Sequence, residues 1–392
     1  MAASGKHSVE QLDFLRGIAI SLMIVNHVGT RLLDQDLYAT GPLADLVFIG
    51  SFAPVVFFFT TGFGIGFAKR DINLTSLLST LLKAGLLVIA DQFLFWRTAR
   101  PWGLDFLGFI AISSVLVTSI AVSRKPIWLC VTIIVSVLAI RFGLGTWFRG
   151  HPDLPGFEAW LVGARGIDRI SYPFSPWIIY PLLGFIIGRS YSVIQGSDTS
   201  FPRPWLYAAT IGALIFAAAL HQAHATFFRW GTMNFAYFVL SIGVLFLTLI
   251  IAWKVANQWP RAAQPLSLRG ISSLAIVPIH YALIELVAGL DSTPLRALAT
   301  IVAMGMILAL SVILSRAFAT SVDTWISSVS PAGASVALTS LVALCAAICW
   351  YPFEQATLKF AAFVVGQLAI TALLVIRNRG ATPSLFTKPA LP

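Results

Sequence analysis

Asn26 and His27 stand at one end of an apolar stretch whose other end carries Asp13 and Arg16. Imidazole titrates near neutral pH, so His27 has the chemistry of a general base or a transient nucleophile. A neighbouring amide such as Asn26 can orient a carbonyl or donate to an oxyanion. Adjacent helical residues point about 100° apart, so the pair would line two sides of one cavity without stacking. A rise of about 1.5 Å per residue puts Arg16 and His27 roughly 16 Å apart, over half the hydrocarbon thickness of a bilayer. A histidine that deep is a functional candidate; the plainer alternative is a histidine at the lipid–water interface. Asp13 and Arg16 are spaced i,i+3 and can pair on one helix face. They read either as an ion pair at a cytoplasmic helix end or as a contact for an anionic phosphate.

Other intramembrane polar residues invite the same question. Lys83 and Asp91 lie two turns apart in one apolar run, where each must face protein, water or a partner. Asp91 could orient the His27 ring, as a carboxylate does in a triad. His280 follows Pro278, which perturbs its helix, and precedes Glu285. A histidine simply hydrogen-bonded inside the bundle is its alternative. Asp45 begins a segment that leads to Phe57–Gly66, where Gly62 and Gly66 form a small-xxx-small pair. Close helix packing is the first reading of that pair, and a narrow passage for an acyl chain the second. Thr60 and Thr61 can satisfy their hydroxyls on the preceding turn.

The elements that must position these residues are helices. The chain has 392 residues, of which 58% are hydrophobic and 11% charged, and its mean hydropathy is +0.85. That composition excludes a soluble domain and predicts an all-α, polytopic transmembrane bundle. Twelve apolar stretches divide at polar or Pro/Gly punctuation: 11–28, 45–68, 74–95, 104–122, 127–144, 174–190, 205–222, 234–253, 271–290, 295–317, 333–352 and 357–376. Ten or eleven spans are also compatible with the pattern. Pro176 and Pro181 interrupt the short stretch 174–190, which reads as broken or re-entrant. The first stretch contains Arg16 and lacks a small-residue cleavage site, so it reads as a retained helix and not a signal peptide. Residues 1–10 and 377–392 read as cytoplasmic tails around one domain, 11–376.

The pairs Lys69–Arg70 and Arg124–Lys125 fall on the same side as the N-terminus, which places both termini in the cytoplasm. The net charge of +10 is explained by basic residues at helix ends, so nucleic acid is not an expected partner. The stretch around 145–175 then faces outward with Trp147, His151, Trp160, Arg165 and Arg169. Aromatic faces and Arg suit a sugar or an anionic acceptor, and an interfacial aromatic belt accounts for them equally well. Cys130, Cys345 and Cys349 all lie in apolar runs and show neither metal spacing nor a disulfide framework. P-loop, HExxH and GxSxG motifs are absent, so neither ATP hydrolysis nor a metal is expected.

Arg16-Gly17-Ile18-Ala19 leads to His27 in the register that opens the acyltransferase-3 proteins. Leu12-Asp13, Arg16-Gly17, Met23-Ile24 and Asn26 match the opening of the heparan-α-glucosaminide N-acetyltransferase group. Asp45–Phe48 to Gly62-Phe63, Pro176-Trp177 to Gly188-Arg189, and Ile271-Ser272 to His280-Tyr281 resemble later blocks in the same order. Over residues 11–290 the chain therefore resembles the transmembrane acyltransferase superfamily, which contains both groups and the glucan-modifying membrane succinyltransferases.

The resemblance implies an acyl-CoA-dependent enzyme, with acetyl-CoA as donor substrate. The acyl group would pass across the membrane to a hydroxyl or amine of a glycan or glycoconjugate. It implies His27, Asn26 and Asp91 at the reaction, and Arg16, Asp13, Lys69, Arg70 and Lys83 around the donor. Asp45, Trp177 and His280 would meet the acceptor. The expected place is the bacterial inner membrane, with lipid as the surrounding partner and a homodimer an open option. The competing reading is a secondary transporter or exporter of a glycan or lipid-linked compound. Broken helices and buried Asp91 permit it, and the lack of a visible internal repeat counts against it.

Overall fold

The computed structural model describes residues 10–33, 41–68, 73–98, 102–144, 160–161, 171–194, 201–223, 233–268, 270–290, 297–351 and 355–380. Every element among them is helical. In chain order the main helices are α1 (Glu10–Leu32), α2 (Pro42–Gly50), α3 (Ala53–Phe67), α4 (Leu74–Trp96), α5 (Phe106–Ala121), α6 (Pro126–Leu138) and α7 (Ile179–Ile194). They continue as α8 (Pro204–Gln222), α9 (Phe235–Gln258), α10 (Ile271–Leu290), α11 (Ala297–Ser328), α12 (Pro331–Trp350) and α13 (Ala356–Gly380).

Local chemistry sets many of the helix starts. Pro42, Pro126, Pro204 and Pro331 occupy first turns, where a missing N–H is harmless and φ is already helical. Asn73, Asn234 and Ser330 accept from the amides of Ser76, Tyr237 and Gly333 at 3.0, 2.8 and 3.1 Å, satisfying donors that the helices leave open.

Ten segments among the described residues are long and apolar enough to cross a membrane. Of the twelve stretches expected, two fall short: α5 is a shorter apolar helix, and 174–190 becomes a single turn, Phe174–Trp177, followed by α7. The last helix runs to Gly380; residues 381–392 and 1–9 lie outside the described residues. α11 has 32 residues, about 48 Å of helix, which is longer than a hydrocarbon core needs.

α1 is the hub. It packs against α2, α3, α9, α10 and α11 and buries Leu15, Ala19, Ile20, Ile24 and Val28 completely. α6, α8 and α12 lie at the periphery and turn Trp128, Ile215 and Val336 outward, as lipid contact requires. α3 and α7 pack most closely, through glycines on both sides. A Cβ on Gly62 would fall 1.8 Å from the Pro181 carbonyl oxygen, and one on Gly184 2.0 Å from that of Phe59. The small-xxx-small pair Gly62/Gly66 is therefore a packing seam. Thr60 and Thr61 return their hydroxyls to the Phe57 carbonyl at 2.8 and 3.0 Å, as their helical setting predicts.

The apolar run 45–68 is interrupted at Ser51–Phe52, between α2 and α3. Such a break within a membrane needs partners for its freed backbone groups. Asn26 Nδ2 donates to the Val47 carbonyl at 3.1 Å, and the Tyr237 hydroxyl donates to the Ser51 carbonyl at 2.9 Å. Gly50 allows the break to lie against α1, since a Cβ there would be 2.8 Å from the Asn26 amide nitrogen.

Candidate functional site

The break faces a cavity of about 180 Å³ lined by Asn26 and His27 of α1, Ser51 and Pro54 beside the break, and Asp91 of α4. Asp105, Ser171, Tyr172, Tyr281 and Gln367 complete its polar wall, and Met23, Leu94, Phe106, Val277 and Phe363 its apolar wall.

His27 is half-buried and His280 fully buried behind it, with His27 Nδ1 and His280 Nε2 2.8 Å apart. On its far side His280 Nδ1 lies 2.9 Å from the Ile276 carbonyl. A carbonyl can only accept, so the assignment of protons follows the chain. His280 carries its proton on Nδ1 and offers the Nε2 lone pair. His27 then donates from Nδ1, which leaves Nε2 as the lone-pair nitrogen of the cavity-lining ring. The Tyr281 ring stacks on His27 with centroids 5.1 Å apart, limiting ring rotation.

The partner expected for His27 was Asp91, and the structure uses that carboxylate differently. Asp91 Oδ2 accepts from the Asp105 amide at 2.7 Å and Oδ1 from the Leu107 amide at 3.2 Å. It thus covers the first-turn donors of α5, where a negative charge is also favoured by the helix dipole. Asp91 lines the same cavity as His27, while His280 supplies the ring's hydrogen bond. Asp105 brings a second carboxyl group to the cavity; burial pushes its pKa up, partly offset by the hydrogen bond from Ser171. Burial also raises the Tyr172 hydroxyl well above its ordinary value, keeping it a neutral donor.

The remaining expected residues separate. Asp13 and Arg16 form an ion pair at 2.9 Å, away from the cavity lining. Lys83 is half-buried on α4, about two turns from Asp91. Asp45 is exposed at the start of α2. Trp177 is fully buried among Phe58, Tyr172 and Tyr180, so it supports the cavity-lining Tyr172 from behind. Trp160 fixes the same tyrosine through its indole N–H, 3.0 Å from the Tyr172 carbonyl. Lys69, Arg70, Trp147, His151, Arg165 and Arg169 lie outside the described residues.

Ser51, Asp105, Tyr281 and Gln367 are cavity residues that spacing arguments pass over. Gln367 had a usable signal: it is an amide inside an otherwise apolar span. Its Nε2 donates to the Ala90 carbonyl at 2.8 Å, and its Oε1 is buried without a hydrogen-bond partner.

The arrangement brings an imidazole with a defined hydrogen bond, an amide, hydroxyls and carboxyl groups together with an apolar wall around one cavity. A family model described as heparan-alpha-glucosaminide N-acetyltransferase, catalytic, matches residues 9–215. That stretch contains Asn26, His27, Asp91 and Asp105; His280, Tyr281 and Gln367 lie beyond it. No curated protein and no solved structure matches the chain.

Proposed function

The chain belongs to the heparan-alpha-glucosaminide N-acetyltransferase catalytic family, and from that premise we propose that it moves an acetyl group from acetyl-CoA to an amine or hydroxyl of a glycan across the bacterial inner membrane. The observation that carries this reading is the His27–His280–Ile276 hydrogen-bond chain, which leaves a lone-pair nitrogen on an imidazole that lines a partly open cavity with polar and apolar walls.

In direct transfer, His27 Nε2 takes the proton of the acceptor N–H or O–H as that atom attacks the thioester carbonyl. The second N–H of Asn26 is free to meet the oxyanion, since one N–H is already given to Val47. The C–S bond then breaks, and the proton on His27 passes to the departing thiolate. Transfer through an acyl-imidazole uses the same nitrogen as nucleophile, with the acceptor attacking in a second step.

The cavity has room for the acyl thioester and the acceptor's reacting group, not for the donor nucleotide. The nucleotide then lies toward the Arg16 end of α1, taken as cytoplasmic, where its phosphates would meet Arg16, Lys69, Arg70 and Lys83. A wider hollow of about 800 Å³ opens at that end, lined by Glu10, Arg261, Gln264, Ser267 and Arg316.

The test is turnover of radiolabelled acetyl-CoA by detergent-purified protein, wild type beside His27→Ala. Release of CoA that is lost in the mutant, with the fold intact, supports the reading. No acyl-CoA binding or turnover by either protein would leave transport as the better reading.

A further inference from the structure

At the Arg16 end of α1, the turn 259–268 and the start of α10 border a hollow of about 800 Å³ together with Arg316 of α11. Its lining includes Glu10, Arg261, Gln264, Ser267 and Arg316, so two guanidinium groups share it with one carboxyl group. The two arginines stand in different conditions. Arg316 Nη2 donates to the Gln264 and Pro265 carbonyls at 2.8 and 2.7 Å, and Arg316 makes its hydrogen bonds through Nη2 alone. The planar group is thereby held in place, with Nε and Nη1 left for another acceptor. Arg261 forms no ion pair and no side-chain hydrogen bond among the described residues.

The residues proposed to meet the donor lie on another side of α1. Arg16 Nη2 is 3.8 Å from where a Cβ on Gly64 of α3 would stand, whereas Gly17 lies against Leu266 of the turn. Neither Arg16 nor Lys83 lines the hollow. The hollow instead adjoins a lipid-facing surface. Met306, Leu310 and Ile313 are exposed at i, i+4 and i+7 on α11, a stripe that stops one turn before Arg316. Trp259, next to the lining residue Pro260, is exposed as well, and an indole at a helix end suits the headgroup level of a bilayer. An apolar stripe that ends at two cations matches the chain and phosphate of one phospholipid molecule.

We propose that Arg261 and Arg316 bind the phosphate of an anionic glycerophospholipid whose acyl chain lies along Met306, Leu310 and Ile313. The site does not depend on the acyl-transfer reading. Its phosphate bridges α11 and the turn whose Leu268 amide donates to the Asp13 carbonyl at 3.2 Å, so the lipid joins the attachment that fixes the start of α1. The phosphates of coenzyme A offer the same chemistry, and the test separates the two sources.

Full-length protein in neutral detergent is titrated with phosphatidylglycerol and with phosphatidylcholine, and retained lipid is counted by native mass spectrometry. Wild type is expected to hold one phosphatidylglycerol more tightly than phosphatidylcholine, whose choline cation would meet the same two guanidiniums. Arg261→Gln should weaken phosphatidylglycerol about tenfold, as loss of a charge-assisted hydrogen bond implies. Arg124→Gln removes a cation at the same end of the bundle but outside the hollow, and should change nothing. Equal retention of the two lipids by wild type, unchanged binding in Arg261→Gln, or an equal loss in Arg124→Gln overturns the site. If coenzyme A displaces phosphatidylglycerol from wild type and pantetheine does not, the hollow holds the donor and the lipid assignment is overturned. Should Arg261→Gln not fold, Gln264→Glu takes its place: it keeps the side chain's size, adds a negative charge to the lining, and must weaken phosphatidylglycerol for the site to stand.

Discussion

At one end of α1, Asp13 and Arg16 pair with each other at 2.9 Å, and Gly17 lies where a Cβ would come within 1.8 Å of the Leu266 carbonyl oxygen. At the other end, Asn26 and His27 reach to Val47 and His280 and leave atoms free toward a cavity. One sequence signature spans both ends. The first end is a weld, fixed by the 264–268 turn that Arg316 latches through the Gln264 and Pro265 carbonyls at 2.8 and 2.7 Å. The second end is a workspace, closed by the break between α2 and α3. The difference teaches that a rigid attachment at one end lets the other hold a histidine at a defined place.

The contrast is easiest to break at His27. His27→Ala should lower the acyl-transfer rate by about 10²–10⁴-fold, the usual worth of a general base, with little change in thermal unfolding. A comparable rate loss from the weld end would erase the distinction. His280→Phe keeps a ring but removes the acceptor for His27 Nδ1. It should lower kcat by about 10–100-fold with KM nearly constant, roughly 1.4–2.7 kcal/mol of barrier. His280→Gln, which restores an acceptor oxygen, should recover part of that rate; equal losses in both variants would make His280 a packing residue only.

Gly17→Ala should act in the opposite sense. Forcing a methyl against the Leu266 carbonyl is expected to cost about 1–3 kcal/mol of stability, seen as a lower unfolding midpoint in detergent. Turnover per folded molecule should change far less than in the histidine variants. The smallest effect on turnover belongs to Arg16→Gln. The pair is largely buried, with side chains 27% exposed at Arg16 and 5% at Asp13, so loss of its cation is expected to cost about 1–3 kcal/mol of stability. The informative readout is KM, which should rise for acetyl-CoA and stay constant for acetyl-pantetheine. A constant KM for both would confine Arg16 to structure.

Much of this was legible in the residues. Apolar runs and Pro or Asn starts located the helices, because a bilayer leaves no other way to satisfy the backbone. His27, Asn26 and Asp91 stood out as polar groups at membrane depth, and all three line the cavity. The pairing was not legible. Asp91 was the expected partner of His27 and His280 was expected to meet the acceptor, and nothing in apolar periodicity ranks contacts between helices. Asp105 and Ser51 lay unmarked within the apolar stretches 104–122 and 45–68.

Composition and spacing by themselves determined the membrane class, most helix positions and the short set of polar residues that had to find partners. Only the tertiary structure decided that His280 orients His27, that Asp91 covers the start of α5, and that Gln367 closes the wall. Those residues come from helices up to 340 positions apart in the chain, since Gln367 meets the cavity of His27. The physical reason is that a helix secures its own backbone locally, whereas a buried side-chain donor or acceptor is satisfied only by whatever the packing brings within about 3 Å.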